Sequence, residues 1–177
     1  MRIRKISALI CMPLLGATAQ GRNCAALPRA AQAALATEQQ QGWRIIATAD
    51  LPSDDQALWH QYHPGQCPGV ATGHFSKSSD VAYSLALLHS SSTGQHTEEL
   101  LLLVPIGASY SRKTVVGPTR VVSPFVVWKL PPGRYKALYT KSAVFIPLDS
   151  FVYEKMEATA TQYFMRDGRL RSILISD

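Results

Sequence analysis

Five histidines and a cysteine at position 67 are the residues of this chain with the chemistry to act on a substrate. His60 and His63 stand three apart near the end of a helical stretch, where such a pair shares one face. His74 follows a little further on. Imidazoles so placed begin a zinc site, but such a site takes at least three protein ligands in tetrahedral geometry. Spacing supplies only two here, with no HExxH pattern and no carboxylate at a fixed offset, so no metal and no cofactor are expected. Cys67 lies close behind His63, and a thiol beside an imidazole is an elementary nucleophile–base pair. One reading is therefore a small hydrolase or metal-dependent enzyme using His60, His63 and Cys67. Gly107-Ala108-Ser109-Tyr110-Ser111 approaches a nucleophile elbow, but Ser111 replaces the final glycine of GxSxG and no helical pattern follows. Asp54-Asp55 and Glu98-Glu99 are adjacent pairs whose side chains point in different directions on a helix or strand, so neither makes an acid–base pair. No catalytic residue is assigned.

The start of the chain bears on Cys67. Arg2, Arg4 and Lys5 precede an apolar run from Ile6 to Gly16, and Ala17-Thr18-Ala19 has the small residues of a peptidase site. Residues 1–19 read as a cleavable signal peptide, with residues 20–177 as the mature chain. The apolar run is shorter than the ~20 residues a spanning helix needs, so no stable membrane anchor is expected after cleavage. Ile10 before Cys11 is too large for a lipobox. Cleavage leaves 158 of the 177 residues, enough for one domain with a real core. It also leaves two cysteines, Cys24 and Cys67, and an even count in an exported chain points to a disulfide. The alternative is a pair of free thiols, with Cys67 reactive.

Charge divides unevenly. The leader holds three of the 18 basic residues and no acidic ones, so its loss lowers the net charge from +6 to +3. Residues 20–99 carry 4 basic and 7 acidic side chains, and residues 100–177 carry 11 and 5. Arg166, Arg169 and Arg171 gather around one turn; with Arg112-Lys113 and the Lys129, Arg134, Lys136, Lys141 group they can form a patch for an acidic partner. Charges on turns and edge strands also serve to block sheet-to-sheet aggregation. Nucleic acid is not an expected partner outside the cytoplasm, and no aromatic-interleaved motif calls for one.

The elements that must position these residues are mostly strands. Cys24 to Gly42 reads as a helix with Leu27, Ala31, Ala34 and Leu35 as a narrow apolar stripe. Trp43 to Leu51 reads as a strand, and a short helix with a Ser53–Gln56 capping box runs to His63-Pro64-Gly65. Val81 to Leu88 and Leu100 to Val104 read as buried strands flanking a polar loop over Ser90 to Glu99. Further strands are expected over Val121 to Leu130, Tyr135 to Thr140 and Ala143 to Ile146, and Phe151 to Met156 reads as a strand or a short helix, with strand favoured. The Asp167-Gly168 pair joins Ala158–Met165 and Leu170–Ile175 as a hairpin. The expected fold class is α+β: a single domain, mainly antiparallel sheet of about six to eight strands, with the N-terminal helix packed on one face.

The segment Cys67-Pro68-Gly69-Val70-Ala71-Thr72-Gly73-His74-Phe75, followed by Asp80-Val81-Ala82-Tyr83-Ser84-Leu85-Ala86-Leu87, resembles a pattern of uncharacterised exported bacterial proteins. It is also similar to a single FG-GAP-type unit, in which an acidic loop between two strands wraps calcium. His74, Ser76, Ser78 and Ser79 replace the acidic ligands here, which removes the hard-cation cage. The resemblance covers about 20 residues and implies strand–turn–strand geometry without calcium. Together these features point to an exported, periplasmic or secreted protein. The favoured role is a non-enzymatic binding or inhibitor-like module acting on another envelope or secreted protein.

Overall fold

The computed structural model describes Cys24 and residues 27–77, 79–140 and 142–176; the leader read over residues 1–19 lies outside them. The chain enters through two single-turn helices, α1 (Arg29–Ala33) and α2 (Ala36–Gln40). Next come β1 (Arg44–Ile45), a 3-10 turn at Thr48–Asp50 and α3 (Ser53–Tyr62). Strands then follow without further helix: β2 (Val70–Gly73), β3 (Ala82–Ser90), β4 (His96–Ile106), β5 (Ser109–Val121) and β6 (Val126–Leu130). The last are β7 (Gly133–Lys136), β8 (Ala143–Ile146), β9 (Ser150–Glu154), β10 (Ala160–Arg166) and β11 (Arg169–Ser176).

Strands hold 48% of the described residues and helices 15%, which corrects the α+β expectation: antiparallel sheets arranged like a β-sandwich carry the fold. The single helix read over Cys24 to Gly42 is two short pieces. Neither has a side-chain cap, and Leu35 at φ −106° and ψ 2° interrupts the spiral between them. A helix this short gains too little to offset its costly nucleus, whatever its alanine content. The strand read over Trp43 to Leu51 stops after Ile45, because Asp50 accepts the Ala47 N–H at 2.8 Å and closes a turn. Gln56 does not form the expected capping box; its side-chain amide donates to the Leu51 carbonyl at 2.8 Å.

One sheet runs β1–β3–β4–β5, with β2 also on β3; the other runs β11–β10–β9–β6, and β7 pairs with β8 apart from both. β1 and β2 share one edge of β3 end to end. Ala86 marks their junction: its carbonyl accepts from Ile46 at 3.1 Å and its N–H donates to Gly69 at 3.0 Å. The sheets join at this corner, where the Val127 N–H donates to the Pro68 carbonyl at 2.7 Å. Alternation along β3 and β4 feeds two apolar layers. Ala86, Leu88, Leu100 and Leu102 enter the inter-sheet core with Trp59, Phe75, Val127, Phe151 and Tyr153. Leu85, Leu87, Leu101 and Leu103 turn outward under Leu27, Ala31 and Leu35. Burial on both faces is why these strands read as unbroken apolar runs.

Candidate functional site

The C-terminal hairpin turns on Asp167 and Gly168, both at positive φ (52° and 71°), as a two-residue hairpin loop requires. Arg166 pairs with Arg169 and Phe164 with Arg171 across β10 and β11. Since every second residue shares a face, Phe164 and all three arginines present one side of the hairpin. That side borders a groove of about 550 Å³. Ser76, Val144, Phe145, Leu148, Phe164 and Arg166 are among the residues lining it. Phe164 is buried, whereas Phe145 is 60% exposed. The Ser76 hydroxyl is buried and has no hydrogen-bond partner among the described residues. Asp167 approaches Arg166 only to 4.0 Å and is itself open to solvent, so the guanidinium stays available to another anion. The sequence located the arginines and missed the groove, because residues near 76, 143–148 and 164–168 are brought together only by the fold.

A second hollow of about 140 Å³ shares the Pro147–Leu148 wall with the groove and adds His74, Pro132 and Asp149. Asp149 is nearly buried. One of its oxygens accepts the His74 backbone N–H at 2.9 Å and lies 3.4 Å from His74 Nδ1 and 3.9 Å from Lys129 Nζ. Gly73 keeps this corner tight, since a Cβ there would stand 3.0 Å from both the Asp149 oxygen and Lys129 Cδ. Burial, together with the Asp149 charge, pushes the Tyr135 hydroxyl upward from its usual range. The arrangement orients an imidazole and neutralises a buried carboxylate.

The other residues singled out by sequence do not converge. His60 is exposed, whereas the His63 ring lies 4.3 Å from Trp59 and 5.0 Å from Trp128, where burial lowers its pKa. Cys67 is bonded to Cys24 across a loop of 43 residues, so the thiol of the His60, His63, Cys67 reading is not free. Both sulfurs sit near the Ile46 carbonyl, and the bridge pins the helical entry to the β1–β2 junction. Such a bond fits an oxidising, non-cytoplasmic location. No helix among the described residues is long and apolar enough to cross a membrane, and among them no three His, Cys, Asp or Glu side chains gather as a metal site. Gly107 to Ser111 is the β4–β5 hairpin, with Gly107 at φ 59° and the Ser109 hydroxyl donating to the Ile106 carbonyl at 3.1 Å. Arg112 is spent on buried Glu38, Lys129 faces Asp149, and Lys141 lies outside the described residues.

Glu98 and Glu99 belong to β4 and not to the polar loop, whose turn covers only residues 91–95. Glu98 points into the core, accepting from the Phe125 N–H at 2.9 Å and the Tyr153 hydroxyl at 2.8 Å. Burial pushes its pKa up to about 7 against these two donors. Comparison with protein-family models, curated proteins and solved structures finds no match to this chain.

Proposed function

We propose that this chain is an exported, periplasmic or secreted binding module, inhibitor-like and non-enzymatic, which engages another envelope or secreted protein through the β10–β11 face. One observation carries the reading: Arg166 lines a groove that leaves Phe145 largely exposed, and Arg169 and Arg171 lie on the same face of the hairpin. Interfaces are enriched in arginine and aromatic residues, and their energy concentrates where an apolar side chain enters a pocket ringed by polar groups. Exposed large apolar residues beside such a pocket are otherwise a liability. The disulfide supports the compartment, and the absence of a free thiol weighs against the nucleophile at Cys67.

The test is site-specific photo-crosslinking in producing cells. A photoreactive residue replacing the exposed Ala143 at the groove should give a discrete adduct that fades as ionic strength is raised. The same residue at fully exposed Val122 should not. Absence of an adduct at position 143, or the same adduct from both positions, would overturn the reading.

A further inference from the structure

We infer that the groove between β8 and the β10–β11 hairpin takes an acidic peptide segment carrying one aromatic side chain, an inference that rests on the binding reading above. The two halves of that ligand match two separate features. Guanidinium groups meet carboxylates through paired, charge-assisted hydrogen bonds, and Arg166, Arg169 and Arg171 offer three of them on one face. Asp167 is the one acidic side chain among the described residues lining the groove, and 91% of it is open to water. Arg166 balances Asp167 in the lining, and Arg169 and Arg171 beside it make the hairpin end net positive, as is the C-terminal half, with 11 basic residues against 5 acidic.

Charge alone would suit any anion, and the groove is not merely charged. Phe164 closes its floor while Phe145 stands 60% exposed at its side, leaving an apolar slot between an edge and a base. An aromatic ring entering there removes apolar surface from water on both partners, and aromatic pairs add edge-to-face or offset-stacked attraction. The volume of about 550 Å³ suits a short extended stretch.

Fluorescence anisotropy on the intact mature protein tests this with three labelled peptides: Gly-Glu-Glu-Phe-Glu-Glu-Gly, the same peptide with serine for phenylalanine, and the same peptide with glutamines for glutamates. Only the first should bind well, with each change weakening it about tenfold or more. Affinity should also fall between 0.05 and 0.5 M salt, because exposed charge pairs are screened. Arg166→Glu with Arg169→Glu should abolish binding, and Phe145→Ala should weaken it about tenfold. All three positions are exposed, so thermal melts of these variants should match the parent. Equal binding of the serine peptide or of an oligothymidylate would reduce the face to a general polyanion patch and overturn the inference, as would indifference to these variants. An adduct from the probe at position 143 that persists under excess acidic–aromatic peptide would sink the peptide assignment and leave the broader binding reading standing.

Discussion

Tyr153 donates its hydroxyl to Glu98 at 2.8 Å across the interior between the two sheets, joining residues 55 apart in sequence. The Phe125 N–H occupies the other carboxyl oxygen at 2.9 Å, and the Phe125 ring stacks on Tyr153 at 4.7 Å. One side chain thus clamps β4, the segment before β6, and β9. Two donors soften the cost of burying a carboxylate but do not cancel it, so its proton is held up to about pH 7 and the Tyr153 hydroxyl is pushed well above its usual range.

That upward shift sets a sign. The folded state holds the Glu98 proton more tightly than the unfolded chain, whose value is near 4.5. The resulting stability is fully present below pH 4.5 and is lost as pH rises to about 7. Over pH 4 to 8 the loss amounts to about 3 kcal/mol. Glu98→Gln cannot ionise and should flatten this part of the profile. Urea unfolding of both proteins at pH 4 and pH 8 measures it; parallel profiles would contradict the buried-carboxylate account.

The Cys24–Cys67 bridge closes a 43-residue loop and holds two short uncapped helices against the first sheet. By chain entropy alone its removal should cost about 4 kcal/mol. The mature protein should show no free thiol before reduction, and reductant should lower its melting temperature sharply. Cys24→Ser with Cys67→Ser should match the reduced protein. A melt indifferent to reductant would mean that the helical entry is anchored by Leu27, Ala31 and Leu35 without the bridge.

What the sequence disclosed follows from the range of the forces involved. The β10–β11 hairpin was legible because alternation and an Asp-Gly pair are local signals, and β3 and β4 were legible as apolar runs. The 13-residue β5 escaped because it is a sheet edge. Its side chains are mostly exposed, and Gly117 and Pro118 lie where its register with β4 shifts, so it shows no clean period. Glu98 read as part of a polar loop because its partners come from 27 and 55 residues away. The groove was invisible for the same reason, since Ser76, Phe145 and Phe164 have no sequence relationship that marks them as neighbours. His60 and His63, three apart, belong to different surroundings because α3 ends between solvent and Trp128.

That difference separates the two histidines experimentally. His63 fills the space between Trp59 and Trp128, so His63→Ala should cost about 1–2 kcal/mol and change tryptophan fluorescence. His60→Ala should fall within about 0.5 kcal/mol of the parent. Burial lowers the His63 pKa below its ordinary 6.5, so its contribution is present above that value and is lost as pH falls through the lowered folded pKa, opposite in sign to Glu98. Chemical denaturation of both variants at pH 5 and pH 7.5 decides the point, and equal losses at the two positions would refute the stacked placement.

Gly69 lies where β1 hands the edge of β3 over to β2. A Cβ there would stand 2.4 Å from the Ile46 carbonyl oxygen and 2.7 Å from Ile45 Cγ2. Those atoms are held in turn by the Ile46 to Ala86 hydrogen bond, so the backbone cannot simply step aside. Gly69→Ala should therefore destabilise by about 1–3 kcal/mol, the usual cost of overpacking a tight site. It should also raise amide exchange at Ile46 and Ala86 together, because both bonds at the junction open when Gly69 is displaced. Gly65 is the control: it lies in the turn after α3 with nothing within 4 Å of an added Cβ, and its positive φ of 74° is the one penalty there. Gly65→Ala should lower stability without touching exchange at Ile46 or Ala86. If the two variants show the same exchange pattern, the handover at Gly69 does not depend on the missing side chain.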